Sequence, residues 1–175
     1  MAKSKTKVFS GRRSRKNSSG NELKLSKILQ PELIEIGLIV EDKWKAIEKM
    51  AKILAKSKNI CDIDELYKKF LEREKNMTTG LGHGVGIPHA MSETVNNLTV
   101  AAATLSEPLD FESFDFKPIS VIFAIASPID RDKRYMIILS QIARLFDEPG
   151  FSEKLAAANT SDEFIEIIED AECKL

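Results

Sequence analysis

The chain has 175 residues, 43% hydrophobic and 30% charged, with a net charge of −1; that suffices for one domain with a real core and is ordinary for a globular fold. No apolar run approaches the roughly 20 residues of a membrane-spanning helix, and the N-terminus lacks the apolar stretch of a secretory signal. Cys61 and Cys173 are too few and too scattered for a disulfide framework or a zinc site, so no metal or cofactor is expected, and a reducing, cytoplasmic setting is.

The net charge hides a split. Residues 1–21 hold seven basic residues and no acid, which leaves nineteen basic against twenty-seven acidic residues in the remainder. This segment is serine-rich and nearly free of large apolar groups, so it cannot bury enough surface to fold alone. We read 1–21 as a disordered basic tail and 22–175 as the domain. The tail's charge suits attachment to nucleic acid, anionic lipid or the acidic body of the chain. Its composition also resembles a transit peptide, which nothing in the body supports. Nucleic acid is otherwise not expected as a partner, because no binding-fold signature appears.

From Leu23 to Leu29 the sequence predicts a short helical turn. Ile34 to Val40 is β-branched and apolar, and predicts a strand over 35–40. Asp42 is placed to cap a helix running to about Lys56, with Trp44, Ile47, Met50, Ala51 and Leu54 as its apolar stripe and lysines on a solvated face. Asp62 and Glu65 are spaced as a capping pair for a second helix, which buries Leu66, Tyr67, Phe70 and Leu71 and ends at Arg73 and Glu74.

The next stretch, Glu74 to Ala90, holds four of the eight glycines and both histidines. Glycine at this density argues against a strand and for tight turning or close approach to another group. Pro88 fixes its own φ and pushes Ile87 towards an extended conformation, so His89 follows a stiff point in the chain. A neutral imidazole offers one nitrogen as a nucleophile while the other donates a hydrogen bond. A rigid histidine beside free backbone N–H groups suits a phosphoryl acceptor; a buried histidine in a glycine-rich turn is the alternative. The run is neither a P-loop, since no Gly-Lys-Ser/Thr follows, nor a dinucleotide fingerprint, since Pro88 stands where a helix would open. A serine-hydrolase nucleophile elbow is absent.

Beyond His89, Leu98 to Leu105 predicts a strand buried on both faces. Pro108 to Lys117 reads as a loop pinned by Phe111, Phe114 and Phe116. Ile119 to Ala126 is apolar throughout apart from Ser120, as a central strand should be. A helix is predicted from Asp130 to Phe146, with Met136, Leu139, Ile142, Ala143 and Phe146 as its core face. A short helix follows from Pro149 to Leu155. The last helix starts at Ser161, has Asp162 and Glu163 in its first turn and buries Phe164, Ile165, Ile167 and Ile168. These elements make an α/β domain, a mixed sheet of four to five strands between helical layers.

Glu74, six residues, Leu81-Gly82, two residues, then Val85-Gly86-Ile87-Pro88-His89-Ala90 resembles the phosphorylation-site pattern of the type-2 EIIA domains of the phosphotransferase system (PTS), the fructose, mannitol and nitrogen-regulatory class. The segment Leu105 to Asp110-Phe111 and the order of elements extend the likeness over roughly residues 22 to 172. The family usually has alanine where Gly86 stands. The resemblance implies the same three-layer α/β/α fold and a phosphohistidine on the tele nitrogen of His89. It assigns Arg73 to the phosphate, for which a guanidinium is suited by its permanent charge and paired donors. Many members carry a second histidine where this chain has Tyr135, a phenol uncharged at neutral pH, so transfer is expected to be slower or to lean on Arg73 and Arg134. Gly82, His83 and Gly84 are expected near the phosphate. His83 stands where the family commonly has a small polar residue. Ser140 matches a family serine, with helix packing as its alternative role.

By the same resemblance the partners are an HPr-like phosphohistidine carrier and either a regulatory target or a IIB domain. Leu81, Val85 or Met91 is expected to lie near His89 for docking. A regulatory, nitrogen-type IIA is the favoured reading. The alternatives are a sugar-specific IIA passing phosphate to a IIB domain for uptake, or a binding module that keeps the fold without efficient transfer.

Overall fold

The computed structural model describes residues 23–129 and 133–174. The expected basic tail, and the Asp130 start of a helix, lie outside the described residues.

The organising element is β6 (Ile119–Ser127), buried along nearly its whole length. Its side chains alternate between two cores, as a strand's period of two requires. Val121, Phe123 and Ile125 face one core, and Ile122, Ala124 and Ala126 face the other. β5 (Thr99–Leu109) pairs antiparallel with β6 and sorts its residues the same way, Val100 and Ala102 against Ala101 and Ala103. β1 (Ile34–Leu38) adds parallel to β5. On the other side of β6 lies the glycine-rich stretch, as β2 (Gly80–Gly82), β3 (Val85–Gly86) and β4 (His89–Met91). β2 and β3 form an antiparallel hairpin, while β3 and β4 run parallel to successive stretches of β6. The sheet is therefore mixed, in the order β1-β5-β6-β3-β2 with β4 also on β6.

The six strands among the described residues exceed the four or five expected because the glycines do not exclude strand pairing. Gly82, His83 and Gly84 make the hairpin turn with φ of 99°, 53° and 82°, a left-handed run that two glycines and one strained histidine supply. Gly86 is flat in β3, and its missing side chain has a different reason. A Cβ there would stand 2.8 Å from Ile119 Cδ1 and 3.3 Å from the Phe111 ring.

Helices cover both faces. α2 (Lys43–Leu54) and α3 (Ile63–Asn76) pack on the core containing Ala101 and Ile122. α1 (Leu25–Ile28), α4 (Lys133–Phe146), α5 (Phe151–Ala156) and α6 (Ser161–Glu172) pack on the other. The expected caps form: Asp42 Oδ1 accepts from the Lys45 amide at 2.8 Å and Asp62 Oδ1 from that of Glu65 at 3.0 Å. Thr160, one residue before the expected start, caps α6 by accepting from Glu163 at 3.1 Å.

Several side chains depart from the expected faces. Trp44 is 40% exposed, since it lies in the first turn of α2, where Lys43 Nζ stands 5.0 Å from its ring centre. Lys43 is not on a solvated face but buried. Tyr67 and Leu71 are half-buried. On α4 the inward face is Tyr135, Ile138, Ile142, Leu145 and Phe146, while Met136 is 58% exposed; the continuous apolar run there fits either of two adjacent faces. Of the three loop aromatics Phe111 alone is buried, and Phe114 and Phe116 are exposed.

Replacing Gly86 with Ala should overpack the Ile119–Phe111 contact and cost about 1–3 kcal/mol in urea unfolding. Ile119→Val, which removes the clashing Cδ1, should be less destabilising in the Gly86→Ala background than in the wild type. Equal costs in both backgrounds would show that the two groups do not compete for the space.

Candidate functional site

His89 opens β4 at the edge of the sheet, half-buried, with its backbone registered opposite Ile125. Pro88 precedes it and has no amide hydrogen; its carbonyl accepts from the Ile125 amide at 3.0 Å, so the chain is fixed up to the histidine. The imidazole is held on both nitrogens. Nδ1 lies 2.7 Å from the Ile87 carbonyl, an acceptor, so Nδ1 carries the proton and donates. Nε2 accepts from Arg73 Nε at 3.0 Å, so Nε2 holds a lone pair. Both contacts require the same tautomer.

Arg73 reaches the ring from the last turn of α3, and its Nη1 also donates to the Met77 carbonyl at 2.9 Å. These two bonds engage two of the five guanidinium donors. Tyr135 comes from α4, on the opposite side of the sheet from α3. Its ring centre is 5.7 Å from that of His89, tilted by 60°. Burial pushes the His89 pKa below its ordinary value; the Ile87 hydrogen bond pushes it up, the Arg73 charge down and the Glu74 charge up. Burial raises the Tyr135 pKa, against a smaller lowering by Arg73, so the phenol keeps its proton at neutral pH.

Two depressions meet at this histidine. A cleft of about 360 Å³ is lined by Lys69, Glu72, Arg73, Asn76, Ala90, Met91 and Tyr135 besides His89. A smaller one of about 170 Å³ lies beyond Arg73, with Leu81, Ile87, Phe114, Leu139 and Ala143 on its walls. Lys69, Glu72, Arg73 and Asn76 follow helical spacing, and that spacing was the signal for the three that sequence reading missed. Lys69 brings a second cation, engaged with Glu72 at 3.4 Å and Glu65 at 3.7 Å.

Other expected site residues lie elsewhere. The Gly82–His83–Gly84 turn borders neither depression at His89. His83 and Gly84 line a separate one with Asp115, Ser120 and Asp147, and His83 Nε2 is 3.7 Å from Asp147 Oδ1. The hairpin carries these residues to its far end because each strand must pair before the turn. Three of the run's amides are also engaged: Gly80 N–H donates to Thr78 Oγ1, His83 N–H to Asp115 and Ile87 N–H to the Thr79 carbonyl. Ser140 is exposed on α4 and borders neither depression at His89. Arg134 donates to Asn97 Oδ1 at 3.0 Å and is likewise outside both. Of the apolar neighbours expected, Leu81 and Met91 border the site, whereas Val85 is fully buried in the core.

The neutral ring is favoured by burial and by Arg73, so Arg73→Gln should raise the His89 titration midpoint towards the ordinary 6.5. The sign follows from linkage. A folded pKa below the unfolded value gives stability that is complete above pH 6.5 and lost as pH falls through the folded midpoint. That pH-dependent share should shrink in Arg73→Gln. Imidazole C–H resonances report the midpoint, with His83→Gln to separate the two histidines; an unchanged or lower midpoint would contradict the geometry.

Comparison with known proteins gives the family. The family model for "Phosphoenolpyruvate-dependent sugar phosphotransferase system, EIIA 2" matches residues 27–171. The chain is 34% identical over 149 residues to a PTS system fructose-specific EIIA component of Haloferax volcanii, covering 83% of this chain and 97% of that protein. It is 29% identical over 151 residues to a nitrogen regulatory protein of Escherichia coli, covering 86% and 92%. The crystal structure of the nitrogen regulatory protein IIA-Ntr from Neisseria meningitidis superposes with a TM-score of 0.75 at 28% identity, over 82% of this chain and 97% of that one. The chain therefore belongs to the EIIA type-2 family of the phosphoenolpyruvate-dependent sugar phosphotransferase system, whose members are phosphoryl carriers.

Proposed function

We propose that this protein carries its phosphoryl group on Nε2 of His89, receives it from an HPr-like phosphohistidine carrier, and works as a regulatory, nitrogen-type IIA. The observation that carries the acceptor assignment is the pair of bonds on one ring, Nδ1–H to the Ile87 carbonyl and Nε2 against Arg73. Nε2 is left with a lone pair, and a pKa below 6.5 keeps it available at neutral pH.

In the transfer, the donor's P–N bond breaks as the P–Nε2 bond forms, and the electron pair of the broken bond returns to the donor imidazole. Arg73 leaves Nε2 for the phosphoryl oxygens, where its further donors face developing charge. Tyr135, whose ring lies 5.7 Å from that of His89, supplies a neutral O–H. The group arrives at a positioned nucleophile, so orientation and fixed donors lower the barrier. Similarity to several nitrogen regulatory proteins supports the regulatory reading. The second reading, a sugar-specific IIA that passes phosphate to a IIB domain, is supported by the 34% identity to a fructose-specific EIIA component.

Incubation with phosphoenolpyruvate, the general phosphotransferase enzyme and its histidine carrier should give an acid-labile, base-stable label on the wild type and none on His89→Ala. Arg73→Lys should be labelled about 100-fold more slowly, since the bidentate fork is lost. Tyr135→His should be labelled faster than the wild type. An unlabelled wild type would leave a binding module that has kept the fold. Rapid passage of label to an added IIB domain would favour the sugar-specific reading.

A further inference from the structure

One buried charge is tied to His89 by more than its field. Glu74 follows Arg73 on α3 but points inward, with its side chain fully buried. Its carboxylate is saturated with donors. Lys43 Nζ stands 3.2 Å from Oε1, and Oε2 accepts from the Thr79 amide at 3.0 Å and from the Thr79 hydroxyl at 2.5 Å. Lys43 also reaches the exposed Glu112. A buried ion pair is poor evidence for a stabilising role, because desolvation offsets much of its attraction and apolar side chains of like volume often serve as well. The bonds lead elsewhere. The Thr79 carbonyl accepts from the Ile87 amide at 2.9 Å, and the Ile87 carbonyl accepts from His89 Nδ1 at 2.7 Å.

We propose that Glu74 is a positioning residue for His89: through Thr79 and Ile87 it fixes the carbonyl that selects the Nδ1–H tautomer and leaves Nε2 bare. Two neighbouring residues of α3 then set the two ends of one ring, Arg73 directly on Nε2 and Glu74 through the backbone on Nδ1. The other tautomer would turn an Nε2–H towards the Arg73 Nε–H, two donors face to face. Ile87 is tied through its own N–H to the Thr79 carbonyl. Without the carboxylate, Thr79 loses two acceptor contacts and the Ile87 carbonyl is no longer held against Nδ1. The functional consequence rests on His89 being the acceptor, but the tautomer itself does not.

The test is made on the unphosphorylated full chain with ¹⁵N-labelled histidine, above the His89 titration midpoint, where ring nitrogen shifts give the ratio of Nδ1–H to Nε2–H. The wild type should be almost wholly Nδ1–H. Glu74→Leu should lower the ratio about tenfold, the scale of one lost hydrogen bond. It leaves Lys43 covered by Glu112, and Thr79→Val, which keeps the ion pair, should lower the ratio a few-fold. Glu74→Gln should stay near the wild type, since an amide oxygen still accepts from the Thr79 amide. An unchanged ratio in folded Glu74→Leu and Thr79→Val overturns the proposal. Should Glu74→Leu fail to fold, Thr79→Val decides alone, and loss of the fold in both overturns it by reducing the carboxylate to a stabilising group. A wild type that takes no phosphoryl label, with the ratios behaving as stated, removes the acceptor reading and leaves the positioning chain standing.

Discussion

The protonation state of one ring depends on a carbonyl. Ile87 offers its oxygen to His89 Nδ1, and that contact decides which nitrogen keeps a lone pair. Burial favours the neutral ring, and Arg73 sits on the other nitrogen, where it holds the ring still in the resting state and adds to that preference through its charge. A guanidinium cannot give up its proton, so its presence on Nε2 is compatible with one imidazole tautomer and not with the other.

The fold delivers these partners from three directions. β6 is buried on both faces and gives the site a rigid floor, with β4 along its edge. α3 packs on one face of the sheet and brings Arg73; α4 packs on the other and brings Tyr135. The histidine thus lies at a sheet edge between two helical layers, buried enough to lose its charge and open enough to be met by another protein. The same placement exposes Met77, Met91 and Phe114 around it. The hairpin carries His83 and Gly84 to a separate depression, while Leu81 and Ile87 of the same stretch stay beside the ring.

Much of this was legible. Strands and helices with a clear period, such as Ile119–Ala126 and the capped helices after Asp42 and Asp62, announce themselves through side-chain alternation and short polar caps. The nearness of Arg73 and His89 was expected from the motif, and the structure has their nitrogens 3.0 Å apart. What was not legible depends on tertiary neighbours. The absence of a side chain at Gly86 is explained by Ile119 and Phe111, far off in sequence. Lys43 looked like any surface lysine until Glu74 and Glu112 closed around it. The inward face of α4 could not be chosen within a continuous apolar run, so Met136, expected inside, is exposed. The roles expected for Gly82, His83, Gly84 and Ser140 came from the motif and the family likeness rather than from any pairing in the sequence, and the hairpin turn and the α4 surface take those residues away from the ring.

On our proposal the fold leaves Nε2, and not Nδ1, to form the bond to phosphorus. The direct measurement is ¹H–¹⁵N and ³¹P NMR of the histidine-labelled protein after phosphoryl transfer, which reports the nitrogen that carries the group. Phosphorus should be coupled to Nε2 of His89, with Nδ1 still protonated against the Ile87 carbonyl. Phosphorus on Nδ1, or on His83, would contradict it.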